Sequence, residues 1–246
     1  MYLYIYDSFL NQPKYATLLS KIEQRVTDLD IKGRIARLSI LKNLKELIAD
    51  AVKDGVKTVI AIGDDQTFAK VINVVADLDV VLGIIPVDDK SKIAKILGVP
   101  PRELACEIVS GRIIKKLDLG KINNQYFMHS AEVVNAPVSL LCDSFQIAPT
   151  TEQHTIQLCN FSHHEIHCNP TDGIMEAIIT PRKAGLFSGS KALKSTVLPF
   201  KKLIINSLVG EPVSIVTDDQ LVMKTPASIE IVPSRLKVIV GSQRSF

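Results

Sequence analysis

Residues 58–73 read TVIAIGDDQTFAKVIN. An unbroken apolar run at residues 59–62 meets a short loop at residues 63–66, after which Phe68, Val71, Ile72 and Val75 recur at helical spacing. The pattern predicts a buried strand that turns directly into an amphipathic helix. Ligands of open α/β sheets gather at such strand ends, because loop amides and the positive end of the helix converge there. The loop of Gly63, Asp64, Asp65 and Gln66, closed by Thr67, is therefore the first place to look for chemistry.

The same alternation extends to both sides. Residues 2–6 read as a strand, residues 15–29 as a helix and residues 35–38 as a second strand, and Leu41, Leu44, Leu47, Ile48 and Val52 follow at helical spacing. Beyond the central stretch, with its helix over 67–76, comes a strand at 80–85. A helix at 101–111 has proline near its first turn and glycine at its end. Strands alternating with helices predict a parallel sheet covered on both faces. From Arg112 the texture changes to short apolar segments between turn residues, at 113–119, 125–128, 138–141, 155–159, 175–180, 202–205, 213–216, 229–231 and 236–240. That spacing predicts an antiparallel β-sandwich. The expected organisation is an α/β domain over residues 1–117 and a β-sandwich domain over 118–246, with the last strand free to return to the first domain.

Composition narrows the function classes. With 46% hydrophobic residues over 246 positions, the chain can build a substantial core. A balance of 29 basic against 26 acidic residues, and the absence of Trp, give neither a phosphate-neutralising surface nor a stacking platform, so no nucleic-acid role is expected. The opening MYLYIYDSFL lacks a basic leader, and no apolar run approaches the ~18 residues of a spanning helix. A cytoplasmic protein is expected, with Cys106, Cys142, Cys159 and Cys168 as free thiols rather than a disulfide framework.

The central loop also carries a resemblance. Residues 63–73 are similar to the signature G-G-D-G-T-x-x-E-V-x-N of the diacylglycerol kinase, sphingosine kinase and NAD kinase superfamily: Gly63, Asp65, Thr67, Val71 and Asn73 match, whereas Asp64 and Gln66 replace glycines and Lys70 replaces the acid. VDDKSKIAKILGVP, following Pro86, resembles the second motif, P-x-G-T-x-N-D-F-A-R-x-L-G-I-P. Pro86, Ala94, Leu97, Gly98 and Pro100 are kept and Lys95 stands for the arginine, while Asp88, Asp89, Ser91 and Lys92 stand at the reactive positions. Residues 169–176 are similar to the family's D-G-x-L-D segment, and TPASIEIVPSRLKVIVG to its closing strands. The sandwich resemblance follows the lipid kinases rather than the NAD kinases.

The resemblance implies ATP and Mg²⁺ as cofactors and phosphoryl transfer to a lipid hydroxyl as the activity. It implies a nucleotide site at Gly63, Asp64, Asp65, Gln66, Thr67, Asp88 and Asp89, with Asp65 acting together with a base from a D-G-E segment. That segment is Asp218-Asp219-Gln220 here, and the glutamine at the base position cannot accept a proton at neutral pH. The first loop, N-P-x-x-G in the family, has become Asp7-Ser8-Phe9-Leu10-Asn11. A lipid-kinase fold with impaired ATP-dependent transfer is the expectation. Its alternatives are a non-catalytic protein that binds lipid or partners an active kinase, and a divergent phosphotransferase assisted by metal.

Two readings of the aspartates stand side by side. Asp65 and Asp89 precede helices, where a carboxylate caps orphan amides. Alternatively, Asp64, Asp65, Asp88 and Asp89 gather with Asp218 and Asp219 to hold a hard divalent ion, with Asp65 and Asp219 as its named ligands. His163, His164, His167 and Cys168 have ligand types suited to zinc, but their spacing fits no standard pattern and also suits a solvated loop. Arg182, Lys183, Lys191, Lys194, Lys201 and Lys202, interleaved with Leu186, Phe187, Leu193, Leu198 and Phe200, form either a solvated basic face or a contact for an anionic membrane surface. A peripheral membrane location and self-association complete the expected partners.

Overall fold

The computed structural model describes residues 1–38, 43–142, 145–149, 154–162, 166–181, 195–218 and 221–246. The chain divides into two compact units, one of residues 1–117 with 235–246 and one of residues 118–234.

The first unit is the alternating α/β segment. It runs β1 (Tyr2–Tyr6), α1 (Ala16–Asp28), β2 (Gly33–Arg37), α2 (Leu44–Lys53), β3 (Thr58–Gly63), α3 (Asp65–Val75), β4 (Val81–Pro86), α4 (Lys92–Leu97) and α5 (Ala105–Gly111). The strands lie parallel in the order β2-β1-β3-β4, and the chain's last residues add Lys237 and Val238 beside Val81 and Leu82, again in parallel. All six residues of β3 and of β4 are buried, as a sheet covered on both faces requires. The stripe of Phe68, Val71, Ile72 and Val75 on α3 is buried as its spacing predicts. Each such side chain contributes about 1.5–3 kcal/mol.

Its boundaries differ from the sequence reading at the capping residues. The N-cap of α3 is Asp64, one residue before Asp65, because β3 extends through Gly63. Asp64 and Thr67 form a reciprocal capping box. The N-cap of α4 is Ser91, whose hydroxyl accepts Ala94 N at 2.9 Å, and not Asp89. Serine is as good a cap as aspartate, and its position three residues before Ala94 is the one the helix uses.

The second unit is the antiparallel part. After β5 (Ile114–Ile122), which begins in the first unit, come β6 (Gln125–Phe127), β7 (Ser130–Val134), β8 (Val138–Cys142), β9 (Phe145–Ile147), β10 (His154–Cys159), β11 (Met175–Pro181), β12 (Thr196–Phe200), β13 (Lys202–Ser207), β14 (Ser214–Thr217), β15 (Leu221–Lys224) and β16 (Ala227–Ile239). One antiparallel sheet has six strands in the order β12-β11-β10-β7-β14-β15. A second antiparallel set pairs the start of β16 with β13, then β8 and β9. Ala131, Ile156 and Ala177 from the first set and Leu140, Leu203 and Ile229 from the second share one core, the expected sandwich. The two segments predicted at 229–231 and 236–240 are one strand, β16. Pro233 lies within it, beside Ser234 in the left-handed region (φ 51°), a local irregularity that accommodates the proline without ending the strand.

Candidate functional site

The strand order of the first unit fixes where a ligand would be sought. From β1 the chain moves outward to β2, then crosses back to place β3 on the other side of β1, so the connections diverge between the carboxyl ends of β1 and β3. Such a switch point leaves a crevice. Here the crevice residues are Asp7 at the end of β1 and residues 63–67 at the end of β3, tied by Asp7 N donating to Ile62 O at 3.2 Å.

Asp7 is 6% exposed. Its carboxylate accepts Ser8 Oγ at 3.1 Å, Phe9 N at 3.3 Å and Thr67 Oγ1 at 2.8 Å. Thr67 Oγ1 also lies 3.0 Å from Asp64 Oδ1 and accepts Asp64 N at 3.3 Å. One hydroxyl proton is thus shared between two carboxylates from different strand ends. Asp64 Oδ1 further accepts Thr67 N at 3.0 Å. Gly63 makes this possible, since a Cβ there would collide with the Thr67 hydroxyl.

The neighbouring aspartates are engaged in the same manner. Asp65, in the first turn of α3, accepts Lys92 N at 2.8 Å and the Ser91 hydroxyl, joining the start of α3 to the start of α4. Asp88 Oδ1 accepts Lys90 N at 2.9 Å. Gln66 and Asp89 are exposed. The structure therefore brings Asp7, Asp64 and Thr67 into one connected network, ties Asp65 to the start of α4 and gives Asp88 a separate local role. Among the described residues no group of three or more His, Cys, Asp or Glu is arranged to hold a metal ion. The carboxylates of Asp7, Asp64, Asp65 and Asp88 accept amides and hydroxyls.

Comparison with known proteins bears on this unit first. Residues 2–122 match the family model of the diacylglycerol kinase catalytic domain. That stretch, just under half of the chain, is similar to the diacylglycerol kinase catalytic domain family. A diacylglycerol kinase of Bacillus subtilis (strain 168) is 36% identical over 77 residues, which span 30% of this chain and 25% of that one. The crystal structure of a diacylglycerol kinase from Bacillus anthracis str. Sterne shares the fold with a TM-score of 0.77 over 98% of this chain and 97% of that one, at 19% identity. Two further structures from the same organism align with the same TM-score at 19% and 18% identity. The diacylglycerol kinase fold thus covers both units. No helix among the described residues is long and apolar enough to cross a membrane.

In the second unit, two aspartates act as internal anchors. Asp218 accepts Met128 N and His129 N at 2.7 Å and Ser130 N at 3.0 Å, while its own N–H donates to Ser130 O at 2.8 Å. Three amides on one carboxylate make it a structural clasp for the start of β7. Asp219 and Gln220, the predicted ligand and base positions of this diacylglycerol kinase relative, lie outside the described residues. Asp118 is 1% exposed and accepts Gly173 N at 2.7 Å and Ser234 N at 2.6 Å. It thereby holds the segment that resembles D-G-x-L-D. Asn160, fully buried, donates to Asp118 O at 2.8 Å and to Met128 O at 3.0 Å. The sequence signal for Asp118 is a carboxylate set between two leucines, Leu117 and Leu119.

Of the histidine-cysteine cluster, His163 and His164 lie outside the described residues, while His167 Nδ1 lies 3.2 Å from Ser162 Oγ. Cys168 is buried, and burial and its contact with Glu176 push its thiol well above the ordinary range. Burial also raises the Glu176 carboxyl, against the lowering effect of the Cys168 hydrogen bond. Of the basic stretch, Lys201 and Lys202 are exposed, and Arg182, Lys183, Lys191 and Lys194 lie outside the described residues, as do Leu186, Phe187 and Leu193.

Proposed function

We propose that this protein keeps the diacylglycerol kinase fold but transfers phosphoryl groups from ATP poorly or not at all, and acts by binding a lipid or an active kinase partner. The observation that supports this reading is the occupation of the crevice by the chain's own carboxylates. Thr67 N, Lys90 N and Lys92 N each already donate to an aspartate, and Ala94 N to Ser91. Amides at helix starts are the groups that a phosphate would need.

The residues at the crevice do not suit a polyphosphate with Mg²⁺. Each carboxylate about 4 Å from a phosphate oxygen would cost about 1 kcal/mol in water and about 4 kcal/mol at an effective dielectric of 20. Displacing the aspartates would also break the caps of α3 and the clasp between α3 and α4. Glutamine at position 220 supports the same reading, since loss of a general base typically lowers a rate by ~10²–10⁴. An anionic membrane surface is the place where such a protein would meet a lipid, with Lys201 and Lys202 among the residues facing it.

The test is transfer of labelled phosphate from ATP to diacylglycerol in mixed micelles, run beside co-sedimentation with anionic vesicles. The reading expects negligible transfer and nucleotide-independent vesicle binding. Robust transfer by the unmodified chain overturns it.

A further inference from the structure

The first unit contains a cavity of about 420 Å³ beside the Asp7–Asp64–Thr67 network, between α4, α5 and residues 242–243, that shares Asp88, Asp89 and Ser91 with the second motif. Pro86, Ala94, Val99, Pro100, Pro101 and Ile108 give it apolar walls. Its volume falls within the range of small-molecule sites, about 300–1,000 Å³. The walls are set before any ligand arrives. Three of them are prolines, whose φ is locked by the ring. Gly98 ends α4 in the left-handed region (φ 67°), where a Cβ would collide with the backbone of Arg244. The closing segment is fastened there by Gly241 N donating to Leu97 O at 2.9 Å and Ser245 N to Ile96 O at 3.0 Å.

Opposite charges line the same cavity. Lys95 and Asp89 both line it and are both exposed, and among the described residues neither side chain forms a hydrogen bond or an ion pair. Asp88, also lining it, commits only Oδ1 to Lys90 N. An apolar body with one group of each sign is the complement of this arrangement. We propose that the cavity binds a small zwitterionic molecule with an apolar body, its cation on Asp89 and Asp88 and its anion on Lys95. The source is either a free amino-acid-like zwitterion or the head and first carbons of a single-chain zwitterionic lipid. The proposal does not require nucleotide, although Asp88 and Asp89 also belong to the implied nucleotide site.

The test is a titration of the full chain followed by backbone amide NMR, with no nucleotide present. The probes are L-phenylalanine, its single-charge analogues 3-phenylpropionate and 2-phenylethylamine, and dodecylphosphocholine below its micellar concentration. A zwitterion is expected to shift the amides of residues 88–101, 108 and 242–243 saturably, and each single-charge analogue to bind about tenfold or more weakly. Lys95→Met and Asp89→Asn, both at exposed positions, should each weaken the zwitterion by about tenfold or more. Tighter binding of dodecylphosphocholine would name the lipid as the source, and tighter binding of L-phenylalanine the free zwitterion. Absence of saturable shifts with both zwitterions overturns the proposal. So does equal binding by a single-charge analogue, or unchanged binding in both variants.

Discussion

Replacing Thr67 by Val removes one hydroxyl and keeps the side-chain volume, so its effect isolates the shared hydrogen bonds at the crevice. In the native chain that hydroxyl lies 2.8 Å from Asp7 Oδ2 and 3.0 Å from Asp64 Oδ1, and it accepts Asp64 N at 3.3 Å. With valine, Asp7, 6% exposed, keeps only Ser8 Oγ and Phe9 N as described donors, both on its other oxygen. A hydrogen bond to a charged group contributes about 1.5–3 kcal/mol, and the buried oxygen left behind adds to the loss. Thr67→Val should therefore destabilise the first unit by about 1.5–3 kcal/mol, whereas Thr67→Ser should stay within about 1 kcal/mol because the hydroxyl remains. Urea unfolding followed by far-ultraviolet circular dichroism at the helical band reads this unit, since all α-helices among the described residues lie between residues 16 and 111. Combining Thr67→Val with Asp7→Asn should show a coupling of about 0.5–3 kcal/mol. A Thr67→Val protein within about 0.5 kcal/mol of the unmodified chain would refute the network as a structural element.

Gly63→Ala should destabilise by about 1–3 kcal/mol in the same assay, because its Cβ meets the Thr67 hydroxyl that the network holds in place; a neutral effect would mean that Thr67 is free to move. Burial raises the Glu176 carboxyl above its ordinary value, so the folded state favours the protonated form. That stability is present below the ordinary carboxylate range and is lost as pH rises through the folded-state pKa, so the advantage of Glu176→Gln over the unmodified chain should grow from pH 4 to pH 8 in paired unfolding curves. None of the four cysteines is in a disulfide and all are buried, with burial pushing Cys106 to about 11 and Cys159 to about 12. A thiol reagent at pH 8 should find almost none of them in the native chain and all of them in denaturant, and rapid labelling of one in the native chain would contradict their burial.

How much of this was legible in the sequence depends on the range of the interaction. The strand, loop and helix of residues 58–73 are written in adjacent residues, and the structure follows them. The capping residues lie one or two positions from where the local pattern puts them; for α3 the reason is that the end of β3 at Gly63 is set by pairing with β4 and not by the local sequence. Asp64 and Thr67 do carry the spacing of a capping box, three residues apart, so a local signal existed for that correction. Strand β7 was also readable, since Ala131 and Val133 alternate with Glu132. The anchoring roles of Asp118 and Asp218 were not readable. Their donors lie 55 to 116 residues away for Asp118 and 88 to 90 away for Asp218, beyond any local pattern. The engagement of Asp65 with the start of α4, 26 and 27 residues on, is of the same kind. Through it Asp65, one of the row of aspartates at the strand ends, joins the starts of two helices.

The account rests on those carboxylates standing where nucleotide phosphates would have to go, and calorimetric titration of the unmodified chain with MgATP measures that most directly. It predicts no saturable heat up to millimolar nucleotide, a binding free energy no better than about −4 kcal/mol. Saturable binding in the micromolar range would mean that the aspartates yield to a polyphosphate, and would contradict the account.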